Sequence, residues 1–238
     1  MRVYEGKPSI TTVLKILKDS DEFERFKQFD IAGFKQMMQS KAAQGNLLHT
    51  AIHDTYKSGK YKSPACPHSK AWMKFYVKEW HAWKPKHLEY FLSCDEVAGT
   101  CDYIGTAGSK DLCLVDWKSV WAKIYDELIF KYKMQVSKYA SMFNLTSPEK
   151  IKHCRIVAFS KDWWYRIIEI GDIEYYASLY DQVLEQFISL RNQYNEIQSW
   201  VSWIQESSLW WYRQVTDTHT QISLDEIVND LWLIDWEI

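Results

Sequence analysis

The alternation of apolar and polar positions changes its period twice along the chain. Up to about residue 83, apolar residues such as Leu48 and Ile52 recur at the spacing of an α-helix, and Gly59 ends the best-defined helix. The period then shortens to two, which indicates β-strands, before helical spacing returns. The predicted elements are helices over 9–18, 21–57, 69–83, 126–144, 174–200 and 223–236, and strands over 86–93, 96–106, 111–119 and 152–170, the last being a pair that turns near 160–162.

This order of elements predicts the fold class. Helices precede three consecutive strands, a helix follows them, and a strand pair and a long helix come next. Such an alternation is typical of an α/β domain in which helices flank a central mixed β-sheet. We expect residues 1–190 to form this core domain and residues 191–238 to form a helical, acidic C-terminal extension of unknown role.

The segment "LCLVDWKS", residues 112–119, places an acid and a base at the end of an apolar strand. Alternate residues of a strand face the same side, so Asp116 and Lys118 point one way while Val115 and Trp117 point the other. Burying a carboxylate and an ammonium costs free energy unless they meet each other, water or a metal. Alone, the segment favours a structural ion pair; an active site is the alternative.

Composition excludes several classes of protein. The 238 residues contain no run of about 18 uncharged apolar residues, so we expect no membrane span. The first residues lack the apolar stretch of a secretory signal peptide. The five cysteines are odd in number and form no Cys-x-x-Cys pair, which predicts buried free thiols and a reducing, cytoplasmic location.

The net charge of −2 hides an uneven distribution. Residues 57–87 hold eight lysines and a single acid, Glu79, whereas the chain after Arg213 holds six acids and no lysine or arginine. Aromatic residues alternate with the lysines of the basic segment, which suits single-stranded nucleic acid as well as a solvated helix face. If the segment binds nucleic acid, Trp72 and Lys74 are its candidate contacts. The acidic tail is a candidate surface for a protein partner.

Polar residues in the predicted core have the types that phosphodiester hydrolysis requires. Asp102 and Asp116 offer oxygen ligands for a hard divalent cation, which stabilises charge on a phosphate and activates a water. His49, four residues after Gly45, could complete the ligand set as a neutral imidazole. Lys118 beside them could hold or deprotonate the attacking water.

The spacing of these residues also resembles the motifs of a known protein family. The pattern Asp102 … Asp116-x-Lys118 resembles the PD-(D/E)xK nuclease superfamily, and the upstream Gly-x-x-x-His and downstream Gln-x-x-x-Tyr are similar to its RecB-like exonuclease branch. "KAAQGNLLHTAIHD", "AGTCDYI" and "KMQVSKYASMFN" resemble segments of mitochondrial genome maintenance exonucleases and their phage and bacterial relatives. The resemblance covers about residues 8–145 and implies a restriction-endonuclease-like core. The sequence departs from it in lacking the Pro-Asp of the first strand and in having Cys101 where an apolar residue is usual.

The resemblance implies a metal and a catalytic lysine. By it, His49, Asp102 and Asp116 are metal-site residues for Mg²⁺ or Mn²⁺. The backbone carbonyl of Trp117 joins them, and Lys118 is the catalytic lysine.

The resemblance also implies supporting and substrate-binding residues. Glu89 matches an upstream acid that orders the metal-bound water or the substrate, although Asp95 and Glu96 lie close enough to offer other registers. Gln135 and Tyr139, four apart on one helix face, match a pair that supports the site and contacts the nucleic-acid backbone. The expected substrate contacts are Gln135, Tyr139, Lys74, Trp72 and Ser119.

The function expected from the sequence is therefore a metal-dependent DNA exonuclease that acts on single strands or on DNA ends in replication, recombination or repair. Two alternatives remain open: a non-catalytic nucleic-acid-binding accessory module, and an endonuclease on the same fold. The expected location is the cytoplasm of a bacterial or phage-infected cell.

Overall fold

The computed structural model describes residues 3–4, 7–17, 31–121 and 123–215. The helices are α1 (Ile10–Val13), α2 (Ile31–Ser58), α3 (Ser69–Glu79), α4 (Asp126–Thr146) and α5 (Ile173–Val215). The strands are β1 (Val3–Tyr4), β2 (Lys7–Pro8), β3 (Trp83–Ser93), β4 (Ala98–Ala107), β5 (Leu112–Val120), β6 (Ile151–Ser160) and β7 (Tyr165–Ile170). Short 3-10 turns follow α1 and α3. The predicted helical residues 21–30, the predicted helix over 223–236 and the acidic tail beyond residue 216 lie outside the described residues.

Strands β3 to β7 form one mixed sheet in chain order, and β1 pairs with β2 in a separate small sheet. Every neighbouring pair of the larger sheet is antiparallel except β5 and β6, which run parallel along the whole of β5. Parallel neighbours need a long crossover connection, and α4 lies within it. The predicted α/β class, with helices flanking a central mixed sheet, is confirmed.

Two apolar clusters cover the two faces of the sheet. The first joins α2 and α3 to the sheet and includes Val115 and Trp117 of β5. The second joins α1, α4 and the first part of α5 to the sheet and includes Leu114 of β5. The side chain of Trp117 thus packs on the face opposite to Lys118, which contacts Gln135 of α4. The predicted division of the two faces of β5 is confirmed.

One helix is shorter than predicted. The pattern over 69–83 indicated a single helix, but α3 ends at Glu79, and Trp83 already pairs with Ala107 in the sheet. Pro85 explains the early end, because a proline forces the preceding residue toward extended backbone and cannot donate a helical hydrogen bond. Trp83 is buried in the same cluster as Trp117, with 5.7 Å between ring centroids.

The chain divides into two compact units, residues 1–187 and 188–238. The predicted boundary at residue 190 lies within α5, and the separate role of residues 191–238 stays a prediction.

Among the described residues, no helix combines the length and the apolar character that crossing a membrane requires. All five cysteines are free; Cys101, Cys113 and Cys154 are buried as predicted, whereas Cys66 and Cys94 are only half-buried.

The prediction that Trp72 contacts the substrate is wrong. Its side chain is 0% exposed, at the centre of the aromatic cluster between α3 and the sheet. Its indole nitrogen donates a hydrogen bond to the carbonyl of Lys62 over 3.0 Å, so even its polar atom is used internally. No ring face is available on which a base could stack. Lys74, two residues on, is exposed.

We predict that Trp72→Ala lowers the free energy of unfolding by about 3–5 kcal/mol, the usual cost of removing a buried tryptophan. Urea unfolding followed by circular dichroism measures this loss. Met73→Ala, at the neighbouring exposed position, is the matched control and should stay within about 0.5 kcal/mol of the parent chain. An unchanged unfolding curve for Trp72→Ala, together with lost nucleic-acid binding, would restore the base-stacking interpretation.

Candidate metal centre

The site begins where β4 and β5 separate. Their antiparallel pairing runs from Thr106–Leu112 to Tyr103–Val115 and then stops. At the next position, the backbone N–H of Trp117 donates to Oδ2 of Asp102 over 2.7 Å instead of to a backbone carbonyl. The carboxylate therefore bridges the two strands beyond the end of their backbone pairing and is itself fixed in a buried position.

Helix α2 brings His49 to the same place. A Cβ atom added to Gly45 would lie 3.1 Å from the hydroxyl of Ser119, so the missing side chain lets α2 approach β5 closely. One helical turn further on, Nδ1 of His49 lies 3.4 Å from Oδ1 of Asp102. The two oxygens of Asp102 thus face different partners, the histidine and the backbone of β5.

Glu89 enters the site through an irregularity in β3. Its neighbours Leu88 and Tyr90 pair with Tyr103 and Cys101 of β4 in one continuous register, which places Glu89 at the level of Asp102. Its φ of 49° lies in the left-handed region, which non-glycine residues rarely adopt. Backbone strain of this kind is concentrated at functional sites.

The structure brings His49, Glu89 and Asp102 together. One ligand atom from each side chain lies within 4.8 Å of the others. Mg²⁺ and Ca²⁺ bind oxygen ligands at about 2.0–2.6 Å, so ligands on opposite sides of such an ion lie roughly 4–5 Å apart. The donor set of two carboxylates and one imidazole fits a hard divalent cation in both chemistry and size.

Asp116 and Lys118 form a buried network beside this group. Nζ of Lys118 forms an ion pair with Oδ2 of Asp116 at 2.6 Å and donates to Oε1 of Gln135 over 3.1 Å. Nε2 of Gln135 donates to Oδ1 of Asp116 over 3.4 Å. The Lys118 ammonium also lies 4.7 Å from the ring centroid of Tyr132. Asp116, predicted as a metal ligand, is therefore held by Lys118 and Gln135 and lies outside the group formed by His49, Glu89 and Asp102.

The pKa values of the two aspartates are shifted in opposite directions. Burial and, to a smaller extent, the charge of Asp102 raise the pKa of Asp116 to about 6, against the opposing effect of Lys118. Burial would also raise the pKa of Asp102, but His49, Lys118 and the N–H of Trp117 outweigh it and hold that pKa below its usual value. Burial would lower the pKa of His49, but the two carboxylates raise it to about 9. Without a metal, a protonated His49 thus neutralises Asp102. A cation would compete with that proton for the imidazole.

Tyr139 packs between β4 and the network of Asp116, Lys118 and Gln135. A Cβ atom on Gly99 would lie 2.7 Å from the hydroxyl of Tyr139 and 2.9 Å from its ring, so the tyrosine occupies the space that a side chain at position 99 would need. A hydrogen bond to Gln135 lowers the Tyr139 pKa, but burial, the larger effect, raises it well above its usual value. Tyr139 and Gln135 are 3% and 5% exposed, and Gln135 contacts Lys118 and Asp116, but their predicted contact with the nucleic-acid backbone stays a prediction.

The remaining predicted residues have distinct positions. Ser119 is half-buried against Gly45 and lies next to Lys118, whereas Lys74 lies on the exposed side of α3. The role of the Trp117 carbonyl as a ligand stays a prediction. Sequence reasoning missed Tyr132, although its position three residues before Gln135 on α4 gives the helical spacing that could have indicated it.

No protein-family model matches the sequence, and no curated protein is similar enough to indicate a family. Among solved structures, a protein named SSO0001 has 14% identity and a TM-score of 0.45, over 80% of this chain and 79% of that one. A Eubacterium rectale protein named "Putative exonuclease" has 14% identity and a TM-score of 0.42, over 60% of this chain and 64% of that one. The chain thus spans slightly less than two thirds of the second protein. Neither likeness is strong enough to bear on what this chain does.

We predict that Gly99→Ala destabilises the fold by about 1–3 kcal/mol, because the added methyl group forces the buried Tyr139 ring to move. Gly171→Ala is the matched control, since nothing lies within 4 Å of a Cβ atom at that position. Guanidinium unfolding of the two variants measures the difference. Equal stability of both would contradict the close packing of Tyr139 against β4.

Proposed function

We propose that the protein is a metal-dependent nuclease that hydrolyses phosphodiester bonds of DNA, acting as an exonuclease on single strands or DNA ends. The observation that carries the proposal is one arrangement: His49, Glu89 and Asp102 converge at the point where β4 and β5 separate, and the buried Lys118 lies beside them. The resemblance of the Asp116-x-Lys118 segment to PD-(D/E)xK nucleases supports the same conclusion, as do the mixed sheet and the α4 crossover.

The charges of the site support a divalent cation. Glu89, Asp102 and Asp116 contribute three negative charges, and Lys118 contributes one positive charge. With a neutral His49, these side chains sum to two negative charges, which Mg²⁺ or Mn²⁺ would balance. His49, Glu89 and Asp102 would hold the ion. When bound, the ion supplies stabilisation of phosphate charge and a more acidic water.

Lys118 has a defined part in this proposal. Burial would lower its pKa, but Asp116 raises the pKa above the usual value of a lysine, so the side chain is an ammonium. An ammonium neutralises the charge that develops on a phosphate and donates a hydrogen bond to the attacking water. Asp116 and Gln135 orient it, and Tyr132 covers it.

A second candidate function is a non-catalytic nucleic-acid-binding module. The observation that favours it is the engagement of Asp116 with Lys118 and Gln135, which leaves this aspartate outside the group of candidate ligands. The two candidates differ in turnover, since only the nuclease converts bound DNA into shorter products.

We predict that Mg²⁺ or Mn²⁺ stabilises the protein through Glu89 and Asp102. At a hundred times its dissociation constant, a ligand adds about 2.7 kcal/mol to the free energy of unfolding, which thermal unfolding detects as a higher Tm. Glu89→Gln and Asp102→Asn should abolish this metal-induced rise in Tm, because each removes a charged ligand.

Asp95→Asn and Glu96→Gln are the matched controls for the metal prediction, since both acids are exposed, are close to Glu89 in sequence and lie outside the ligand group. Both should keep the metal-induced rise. A rise that survives Glu89→Gln but disappears in Asp95→Asn would show that another register of this acid is the functional one.

We predict that the parent chain with Mg²⁺ degrades end-labelled linear single-stranded DNA and spares circular single-stranded DNA. Lys118→Ala and Asp116→Asn should lower the rate by at least about 100-fold, as expected for the loss of a positioned catalytic group. Circular dichroism must first show that the variants are folded, because each leaves a buried charge without its partner.

Three outcomes would contradict this prediction. Equal cleavage of circles and linear strands would exclude an exonuclease and favour an endonuclease. Full activity in both variants would exclude the catalytic assignment. Binding of DNA without any turnover by the parent chain would favour the accessory module.

A further inference from the structure

The edge of the sheet beyond Lys118 carries two exposed tryptophans. Strands β5 and β6 are parallel, so their C-terminal ends lie at the same edge. Trp121 follows β5 and is 41% exposed, and Trp163 follows β6 and is 51% exposed. Apolar side chains scattered singly over a surface are normal, whereas exposed ones that are grouped mark interaction sites.

Each of these tryptophans has lysine side chains against its ring. Nζ of Lys41 and Nζ of Lys161 lie 5.4 and 4.9 Å from the ring centroid of Trp121. Nζ of Lys70 lies 3.4 Å from the ring centroid of Trp163. We call these five residues the tryptophan edge. The acid nearest to either tryptophan in the sequence is Asp162.

The tryptophan edge is built into the fold. The hydroxyl of Ser160 donates to the carbonyl of Trp121, and the N–H of Trp163 donates to the carbonyl of Ser160, so one residue ties the two segments together. His68, buried just before α3, donates from Nε2 to the carbonyl of Val120 over 3.1 Å and so fixes the start of the helix that carries Lys70. These contacts position the edge independently of any ligand.

Trp163 is also held in a strained conformation. Its φ of 70° is in the left-handed region, where a bulky residue is an outlier. A glycine or asparagine would adopt this conformation at lower cost. Burial does not explain the tryptophan either, because half of its surface is exposed. Strain that packing does not require is a feature of binding positions.

The edge connects to the candidate metal centre along both β5 and α2. Trp121 follows Lys118 by three residues, which corresponds to roughly 10 Å of strand. On α2, residues at intervals of four face the sheet in turn: Lys41 lies over Trp121, Gly45 lies against Ser119 of β5, and His49 contacts Asp102 of β4. A chain bound at Trp121 therefore has a direct path to the site.

We propose that the tryptophan edge binds single-stranded nucleic acid, with bases stacked on Trp121 and Trp163 and phosphates contacted by the three lysines, and that it delivers the strand to the metal centre. This inference rests on the proposed function and names the surface that selects its substrate. Exposed aromatic rings stack on unpaired bases of any sequence, whereas a duplex hides its base faces. The surface replaces the buried Trp72 as the aromatic contact.

The test measures the affinity of a fluorescently labelled oligothymidylate by anisotropy in EDTA, where no cleavage occurs. Trp121→Ala and Trp163→Ala should each weaken binding by roughly 5- to 100-fold, the loss expected for one stacked base. Trp121→Phe should recover most of the affinity because it keeps a ring. Lys161→Ala should reduce the slope of log affinity against log salt by about 0.7, the value for one phosphate contact with a single strand.

Two variants provide matched controls. Tyr175→Ala removes a side chain on α5 that is as exposed as Trp163, and Lys110→Ala removes a lysine from the turn at the opposite end of β5. Both should leave the affinity for oligothymidylate unchanged. Unchanged affinity in both tryptophan variants, or an equal loss of affinity for blunt duplex and for single strand, would overturn the proposal.

A second measurement separates this proposal from the proposed function. The p-nitrophenyl ester of thymidine 5′-phosphate is too small to reach the tryptophan edge, so its hydrolysis with Mn²⁺ depends on the metal centre alone. Trp121→Ala should leave this hydrolysis unchanged and lower kcat/KM for oligothymidylate, whereas Asp102→Asn should abolish both. If the parent chain cleaves neither substrate, the nuclease proposal fails, and the anisotropy result still decides the binding surface.

Discussion

The site depends on one hydrogen bond, from the backbone N–H of Trp117 to the carboxylate of Asp102. It satisfies a strand donor at the point where the pairing of β4 and β5 ends, and so it lets the sheet open without leaving a buried N–H unpaired. The buried carboxylate in turn requires compensation, which His49 supplies from α2. An apolar residue at position 102 would leave both the strand end and the histidine without a partner.

Packing on both faces of β5 keeps this opening in one geometry. Val115 and Trp117 are fixed in an aromatic core against α2 and α3, while Asp116 and Lys118 meet Gln135 of α4 on the other face. The polar network is therefore built on a regular strand and a helix rather than on loops. Side chains supported in this way keep a fixed orientation, which a charged catalytic group needs.

The sequence predicted those parts of the structure that follow a period. The order of strands, the two faces of β5 and the spacing of Gln135 and Tyr139 are all periodic features, and the structure has them. Periodicity does not distinguish an aromatic residue in the core from one at a binding surface, so Trp72 was misassigned. It also does not reveal a left-handed backbone within a strand, so the placement of Glu89 required the structure. Tertiary packing decides that Asp116 approaches Gln135 rather than the group of candidate ligands, and no local pattern in the sequence indicates this.

The left-handed backbone at Glu89 has a consequence for any attempt to raise the stability of this chain. A non-glycine residue in that conformation costs on the order of 1–3 kcal/mol, and glycine would remove most of that cost. Glycine would also remove the carboxylate that stands beside His49 and Asp102. In the proposed metal centre, stability and metal binding are thus opposed at position 89, and a selection for thermal stability alone would tend to discard the residue. The left-handed backbone is therefore the cost at which β3 presents a carboxylate to the other two candidate ligands.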